Sequence, residues 1–330
     1  MRLLKEARWV VGQLRERLDL LRGNLTVLMY HRVCEPGDHA FLQECGVPSV
    51  SPATFREQLV FLLERGFRVL SFREALEGLE ARRPFAPRSC ILTFDDGWRD
   101  NHAAALPVLR ELDLPATLFV ASRILDGEEL LFEHRVLWGL RKLPPADFAA
   151  LCAGLGPLEA RAPGVWIVLD PRGPDLATRR RLGERLAEAM ARAGVDEAAL
   201  ARELYLTSAE LRELRDAGVE IASHGAEHHP LTVLSGEERA RDLDEARERL
   251  GDVVGDDLLP VYCSPYGSHT EADRELLRQR GYRAAASVRF GTNNHRVDPY
   301  FLRRVSLGDQ SWNRLRFLDR AAKLAAKLDG

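Results

Sequence analysis

Short apolar runs alternate with amphipathic segments over much of the chain. Each run is about as long as one β-strand, and the segments between the runs space their apolar residues as helices do. This alternation predicts an α/β protein with a parallel sheet. The predicted strands cover residues 25–30, 67–70, 90–94, 116–120, 219–223, 258–263, 284–288 and 302–307.

Capping signals mark several helices between these strands. A proline in the first turn and a later glycine predict a helix that begins after Ser51 and ends at Gly66. Ser71 and Ser235 each stand three residues before a glutamate, which is the spacing of a capping box. Further helices are predicted over residues 101–112 and 270–280.

The alternation breaks between residues 120 and 219. Connections in α/β units usually have about 2–6 residues, so this segment is an insertion, which we place at about 122–208. Its Ala, Leu, Arg and Glu content predicts helices, with one edge strand at 166–170. The insertion either packs as decoration on the main domain or serves as a lid or substrate platform.

The two ends of the chain resemble each other. Residues 1–24 and 311–330 both have the pattern of an amphipathic helix, with Arg or Lys on one face and apolar residues on the other. Each helix either packs on its own domain or rests on an anionic membrane surface. The segment 25–310, interrupted by the insertion, is the predicted main domain.

Composition and charge exclude several classes of protein. Lys plus Arg number 47 and Asp plus Glu number 50, so the chain lacks the basic field typical of nucleic-acid binding. The five cysteines form no CxxC motif, which argues against a disulfide framework and a thiolate zinc site. Charges interrupt residues 1–23, which have neither an apolar signal core nor a cleavage site. We therefore expect a cytoplasmic protein, or one at the inner face of the membrane.

Two adjacent carboxylates, Asp95 and Asp96, follow the predicted strand 90–94. Asp-Gly alone is a common turn, but a carboxylate beside an apolar run is costly unless something offsets its charge. His224 and His228 are four residues apart, so on one helical turn both imidazoles face the same way, and His229 is the spare. Two imidazoles and one carboxylate suit Zn²⁺ or another divalent transition metal, and the second carboxylate is then available as a general base.

Two further polar segments also follow predicted strands. One is SPYG at residues 264–267, and the other is MYHRV at 29–33, which contains His31. All four segments would therefore lie at the carboxyl ends of parallel strands, where open sheets and βα barrels assemble their sites.

The motifs TFDDG at 93–97, SHGAEHHPLT at 223–232 and SPYG at 264–267 resemble those of polysaccharide deacetylases of the NodB-homology class, carbohydrate esterase family 4. The resemblance covers about residues 25–125 and 205–310, and leaves out the insertion and both ends. It implies a distorted (β/α) barrel and a metal-dependent enzyme that removes acetyl groups from sugars.

The resemblance also implies a role for each residue that matches the motifs. Asp95 would be the general base, and the backbone N–H of Tyr266 would donate to the developing oxyanion. The implied metal ligands are Asp96, His224 and His228. The metal would be Zn²⁺, with Co²⁺, Ni²⁺ or Fe²⁺ as alternatives. Further candidates for contact with an acetylated saccharide are Pro265, Tyr266 and Trp98.

The chain departs from the family pattern at two places. Cys263 and Ser264 stand where many members have an arginine that orients the base, and Arg304 is our candidate for that task. Many members also carry a late histidine as general acid, and no histidine follows Arg304. The opening Met-Tyr-His resembles the branch that acts on poly-β-1,6-N-acetylglucosamine, which assigns the acid to His31, with His269 and His295 as fallbacks.

The function expected from this resemblance is N-deacetylation of a sugar or polysaccharide in exopolysaccharide or cell-envelope biosynthesis. Without an export signal, a lipid-linked or nascent saccharide at the inner leaflet is the expected substrate. The alternatives are a non-catalytic glycan-binding protein on the same fold and a hydrolase of a small non-peptide amide.

Overall fold

The computed structural model describes residues 24–127, 129–154 and 174–328. The strands within these residues, numbered in chain order, are β1 Leu25–Tyr30, β2 Arg32–Val33, β3 Ser49–Val50, β4 Arg68–Val69, β5 Ser89–Phe94, β6 Ala116–Val120, β7 Val219–Ser223, β8 Val261–Cys263, β9 Ala284–Phe290 and β10 Leu302–Ser306. The helices are α1 Ala40–Glu44, α2 Pro52–Glu64, α3 Phe72–Glu80, α4 Leu106–Glu111, α5 Phe132–Lys142, α6 Pro145–Cys152, α7 Leu176–Arg192, α8 Glu197–Leu204, α9 Ser208–Asp216, α10 Gly236–Val254, α11 Glu271–Gln279 and α12 Trp312–Leu328.

Seven parallel strands close into a barrel in the order β1, β10, β9, β8, β7, β6, β5, with β5 pairing back to β1. Strand β4 extends the sheet beyond β5, and β2 pairs with β3 in a separate two-stranded sheet. This architecture confirms the predicted (β/α) barrel. Because the strands are parallel, all their carboxyl ends lie at one mouth of the barrel.

Alternate residues of each strand point into and out of the barrel. Small side chains such as Ala222 and Ala286 belong to the same buried apolar cluster as Phe119, Val27 and Leu302. The outward residues of β1 and β5 belong to the larger apolar cluster, which also contains residues of the surrounding helices. Both faces of the strands are therefore buried, which explains why they are continuous apolar runs in the sequence.

Three local predictions need correction. The helix predicted over 101–112 is a π-helix, Asn101–Ala105, followed by α4, because Pro107 has no N–H with which to continue a regular helix. The strands predicted at 67–70 and 258–263 are shorter, at Arg68–Val69 and Val261–Cys263.

The capping predictions differ in outcome. Ser235 forms a complete capping box with Glu238 at the start of α10. At α3, the Ser71 side chain accepts the Glu74 N–H, but the Glu74 carboxylate pairs with Arg68 instead of returning to the cap.

The connection between β6 and β7 carries helices α5 to α9. Helices α5, α6 and α7 pack through their own apolar cluster, which includes Val136, Phe148 and Leu186. The described part of the insertion is therefore mostly helical, as predicted. The edge strand predicted at 166–170 lies outside the described residues.

The carboxyl-terminal helix α12 packs against its own domain. Leu315 and Leu318 are buried, and the ring of Trp312 meets Phe61 of α2 edge to face at 6.0 Å. This packing agrees with the interpretation in which the helix packs on its own domain and does not rest on a membrane surface. Residues 1–23, the other amphipathic segment, lie outside the described residues. Among the described helices, none is both long and apolar enough to cross a bilayer.

Candidate active site

The mouth of the barrel brings together residues that follow β1, β5, β7 and β8. Asp95 comes directly after β5, and its backbone N–H donates to the Tyr30 carbonyl at the end of β1, at 3.1 Å. Asp96 and Gly97 then adopt positive φ of 78° and 95°. A Cβ on Gly97 would lie 2.6 Å from the Ile124 side chain, so this turn requires glycine. The tight reversal lets neighbouring carboxylates reach different partners.

Asp95 is clamped by a buried guanidinium. Arg304 of β10 donates to both carboxylate oxygens of Asp95, each at 2.7 Å, and both side chains are almost fully buried. Arg304 also donates to the Ser287 carbonyl at 2.9 Å and lies over the ring of Phe119. Burial raises the pKa of Asp95, but Arg304 more than offsets this effect and holds the pKa below its ordinary value. Asp95 is therefore ionised at neutral pH.

Removing the guanidinium should destabilise the fold. In Arg304→Met the Asp95 carboxylate stays buried without its counter-charge, and losing one partner of a buried ion pair costs about 3–5 kcal/mol. We expect the free energy of unfolding, measured by urea titration, to fall by this amount. Arg56→Met, which breaks the exposed pair with Glu111, is the control and should leave it nearly unchanged. Equal stability of both variants would contradict the assigned clamp.

Asp96, His224 and His228 form the second group at this mouth. Asp96 Oδ1 lies 3.4 Å from His224 Nε2 and 3.2 Å from His228 Nε2, and the two imidazole nitrogens are 3.1 Å apart. Ligands at about 2.0–2.1 Å from a tetrahedral zinc ion stand about 3.3–3.4 Å from one another. These three buried donors therefore fit a divalent transition metal.

In each candidate ligand, the nitrogen or oxygen that does not face the other two donors has a partner of its own. His224 Nδ1 lies 2.7 Å from the Cys263 carbonyl oxygen, and Asp96 Oδ2 accepts the indole N–H of Trp98 at 2.9 Å. His228 Nδ1 contacts the carboxylate of Glu133, which belongs to α5. These partners favour the imidazole tautomers that carry a proton on Nδ1, which leaves Nε2 as the metal-binding atom.

The electrostatics of the site favour a positive charge among these donors. Burial lowers the pKa of His228, but Glu133 and Asp96 more than offset it and raise this pKa to about 10. Asp96 has a pKa well below its ordinary range, because its imidazole partners outweigh the effect of burial. At neutral pH and without a bound cation, His228 is therefore protonated on both ring nitrogens and carries the positive charge.

A neighbouring donor set, Asp95, His224 and Cys263, is less suited to a cation. Arg304 contacts both the Asp95 carboxylate and, at 3.1 Å, the Cys263 sulfur, so a positive charge already occupies this position. Burial also raises the pKa of the Cys263 thiol well above its ordinary value, which keeps the sulfur protonated.

The loop with the two histidines is held from α10. Asp242 accepts the backbone N–H groups of Ala226 and Glu227 at 3.1 and 3.3 Å. A Cβ at Gly225, where φ is 80°, would lie 2.8 Å from the same carboxylate, so the close approach requires glycine. His228 itself has φ of 58°. The chain thus bends sharply between His224 and His228, instead of forming the helical turn that their spacing predicts.

Among the three candidate acids, His31 is the one whose imidazole feels the charges of Asp95 and Asp96. Its backbone carbonyl accepts the Asn101 side chain at 2.8 Å, and the charges of Asp96 and Asp95 act on its imidazole. Burial is the larger influence and lowers the pKa of His31. His269 instead lies 2.6 Å from the Tyr300 carbonyl oxygen. His295 is half-buried between β9 and β10, and among the described residues no hydrogen bond or ion pair joins it to Asp95 or Asp96.

The SPYG segment lies beside His228. Tyr266 has φ of 57°, and the centre of its ring is 5.3 Å from that of His228. Pro265 is buried in the same turn. The adjacent Gly267 is required, because a Cβ there would lie 2.6 Å from Val288. The structure thus places Tyr266 next to the donor set.

A family comparison adds to this geometry. The family model described as polysaccharide deacetylase matches residues 82–285. The chain belongs to the polysaccharide deacetylase family. The match spans the carboxylate, histidine and SPYG motifs, but ends before Arg304 and begins after His31.

Two relatives share parts of the sequence. The Bacillus subtilis protein YxkH is 26% identical over 114 residues, which cover 34% of this chain and 38% of YxkH. The poly-beta-1,6-N-acetyl-D-glucosamine N-deacetylase of Escherichia coli K12 is 31% identical over 95 residues, covering 28% of this chain and 13% of that enzyme. The match thus spans well under half the length of either curated relative.

A solved structure shares the fold of the family. The Streptococcus pyogenes deacetylase PplD, determined in complex with acetate, aligns over 89% of this chain and 97% of its own, with a TM-score of 0.60. The sequence identity is 15%, so this similarity supports the fold alone.

Trp98 does not occupy the substrate-binding position expected from the sequence. Its side chain is fully buried, donates to Asp96 and lies against His134, with ring centres 4.6 Å apart. Because the turn at Asp96 folds the indole beneath the carboxylate, Trp98 has no exposed surface for a saccharide. It positions Asp96 instead.

Sequence reasoning does not find two residues that contact the candidate site. Glu133 lies in the insertion, about 95 residues before His228, and Asp242 lies on a charged helix. Neither residue stands in a motif, and many other Glu and Asp residues have similar surroundings in the sequence. Only the tertiary structure distinguishes these two.

Proposed function

We propose that the chain is a metal-dependent deacetylase that hydrolyses N-acetyl groups of a saccharide to a free amine and acetate. One observation carries this proposal. The mouth of the barrel holds an ionised carboxylate, Asp95, beside a separate donor set for a divalent cation. Asp95 can thus act as a general base while the neighbouring Asp96 binds the metal.

The residues divide the reaction among themselves. Asp95 accepts a proton from the attacking water, and Arg304 keeps its carboxylate oriented and ionised. The Tyr266 N–H donates to the oxyanion that develops on the acetyl oxygen. His31 in its protonated form delivers a proton to the departing amine nitrogen; because burial lowers the pKa of His31, only a minority of the chains carry this proton at neutral pH. When bound, the metal supplies Lewis-acid polarisation of the acetyl carbonyl and lowers the pKa of water.

The donor set favours zinc as the metal. Two imidazole nitrogens and one carboxylate oxygen form a borderline set, and their spacing suits four-coordinate geometry with one position left for water or substrate. Co²⁺, Ni²⁺ and Fe²⁺ accept similar ligands, so the same site would bind them when they are supplied.

Acetate release from a panel of saccharides tests the activity. We expect acetate from at least one N-acetylated oligosaccharide or lipid-linked sugar, and β-1,6-linked N-acetylglucosamine is the first choice because of the partial similarity to the Escherichia coli enzyme. Binding of a glycan without acetate release would instead indicate a non-catalytic glycan-binding protein. Release only from small non-sugar amides would contradict the proposed substrate class.

We further propose that the substrate is presented at the inner face of the membrane, where residues 1–23 hold the protein. Because α12 packs on the barrel, this role falls to the amino-terminal segment, whose basic residues alternate with apolar ones. The full chain should float with anionic vesicles at low salt and less at high salt. Charge reversal at Arg2, Lys5 and Arg8 should abolish flotation. Flotation unchanged by this reversal, or none at all, would contradict the proposal.

A further inference from the structure

The insertion reaches the metal-binding donors through the first turn of α5. Glu133 lies in that turn, is 5% exposed, and places its Oε1 on Nδ1 of His228. The amino-terminal end of a helix favours a negative charge, so α5 stabilises this carboxylate where it meets the imidazole.

Glu133 differs from the other outer partners in carrying a full charge. His224 is held by a backbone carbonyl and Asp96 by a neutral indole, whereas His228 is held by a carboxylate. A carboxylate on Nδ1 fixes the ring orientation, keeps that nitrogen protonated and makes Nε2 a stronger donor to a cation. It also balances part of the charge that a divalent ion brings into a buried site.

The next residue of α5 supports a second donor indirectly. His134 Nδ1 lies 2.6 Å from the Tyr205 hydroxyl, and the imidazole packs against Trp98, which donates to Asp96. Tyr205 follows α8, another helix of the same segment. Glu133 thus contacts His228 directly, and His134 supports Asp96 through Trp98. An insertion that only packed on the outside of the domain would not need these two contacts.

We propose that Glu133 is a positioning residue of the metal site, and that the insertion helps this chain to bind and retain its metal. This inference rests on the proposed function only in that Asp96, His224 and His228 bind a divalent cation. It assigns no further step of the reaction to Glu133.

Metal affinity tests the inference directly. We would titrate the metal-free full chain with Co²⁺, follow visible absorption, and compete with a chelator to obtain the dissociation constant. Glu133→Gln removes the charge at nearly constant shape and should weaken binding about 10–100-fold. Glu133→Asp restores the carboxylate on a shorter side chain and should recover part of the loss. Glu129→Gln, an exposed carboxylate of the same segment, is the matched control and should bind like the unaltered protein.

Circular dichroism and the thermal midpoint show whether each variant is folded. A folded Glu133→Gln variant that binds Co²⁺ within twofold of the unaltered protein would overturn the inference. If Glu133→Gln does not fold, Glu133→Ala, which also removes the carboxylate, decides in the same way, with affinity within twofold overturning the inference and a several-fold loss supporting it. If the unaltered protein binds Co²⁺ but releases no acetate from any substrate, the proposed function fails, while the Co²⁺ affinities of the Glu133 variants still decide this inference.

Discussion

Asp95→Asn should lose about 10²–10⁴-fold in kcat/KM for acetate release while still binding metal. An amide cannot accept the proton of the attacking water, but it keeps the size of the carboxylate and still accepts a hydrogen bond from Arg304. Because Asp95 is not among the fitted donors, Co²⁺ affinity should change only a few-fold. The two measurements together separate the base from the ligand set.

Asp96→Asn is the matched control for this prediction. It alters the neighbouring carboxylate, which has both imidazoles and the Trp98 indole as partners. It should reduce metal affinity and turnover together. If Asp95→Asn instead released the metal, or retained normal turnover, the division of roles between the two aspartates would be wrong.

His31→Ala should slow amide hydrolysis about 10²–10⁴-fold and ester hydrolysis much less. An amine is a poor leaving group until its nitrogen is protonated, whereas the phenolate of a chromogenic acetyl ester leaves without an acid. The ratio of the two rates is therefore the informative measurement. A loss of structure or metal would lower both rates alike, but the loss of an acid lowers only the first.

His269→Ala and His295→Ala are the controls for the acid. The structure places His269 on the Tyr300 carbonyl and against the Phe301 ring, away from the charges of Asp95 and Asp96. Both variants should retain the unaltered ratio of amide to ester hydrolysis. If His31→Ala kept normal amide hydrolysis and one of these lost it, the role of acid would move to that residue.

The parts of the fold that could be predicted are those governed by local pattern. Apolar runs buried on both faces marked β1, β5, β6 and β7 at nearly their observed limits, and serine caps marked the starts of α2, α3 and α10. Because parallel strands share one direction, placing the motifs at strand ends also placed them at one mouth of the barrel.

The contacts that could not be predicted depend on long-range packing. Glu133 meets His228 only because the insertion folds back over the barrel mouth, and no periodicity within α5 encodes that approach. Trp98 is a candidate for saccharide contact in the sequence, but the left-handed turn at Asp96 buries its side chain. The pairing of Arg304 with Asp95 joins residues 209 apart in the chain, and its prediction needed a family pattern in addition to the local sequence.

We expect acetate release to require one divalent ion at Asp96, His224 and His228. The most direct measurement strips the full chain of metal with a chelator, then returns Zn²⁺ in steps while metal content and acetate release are measured on the same samples. We expect no activity in the stripped protein and a linear rise that saturates at one zinc per chain. Activity that persists without metal, or that does not follow zinc occupancy, would contradict the account.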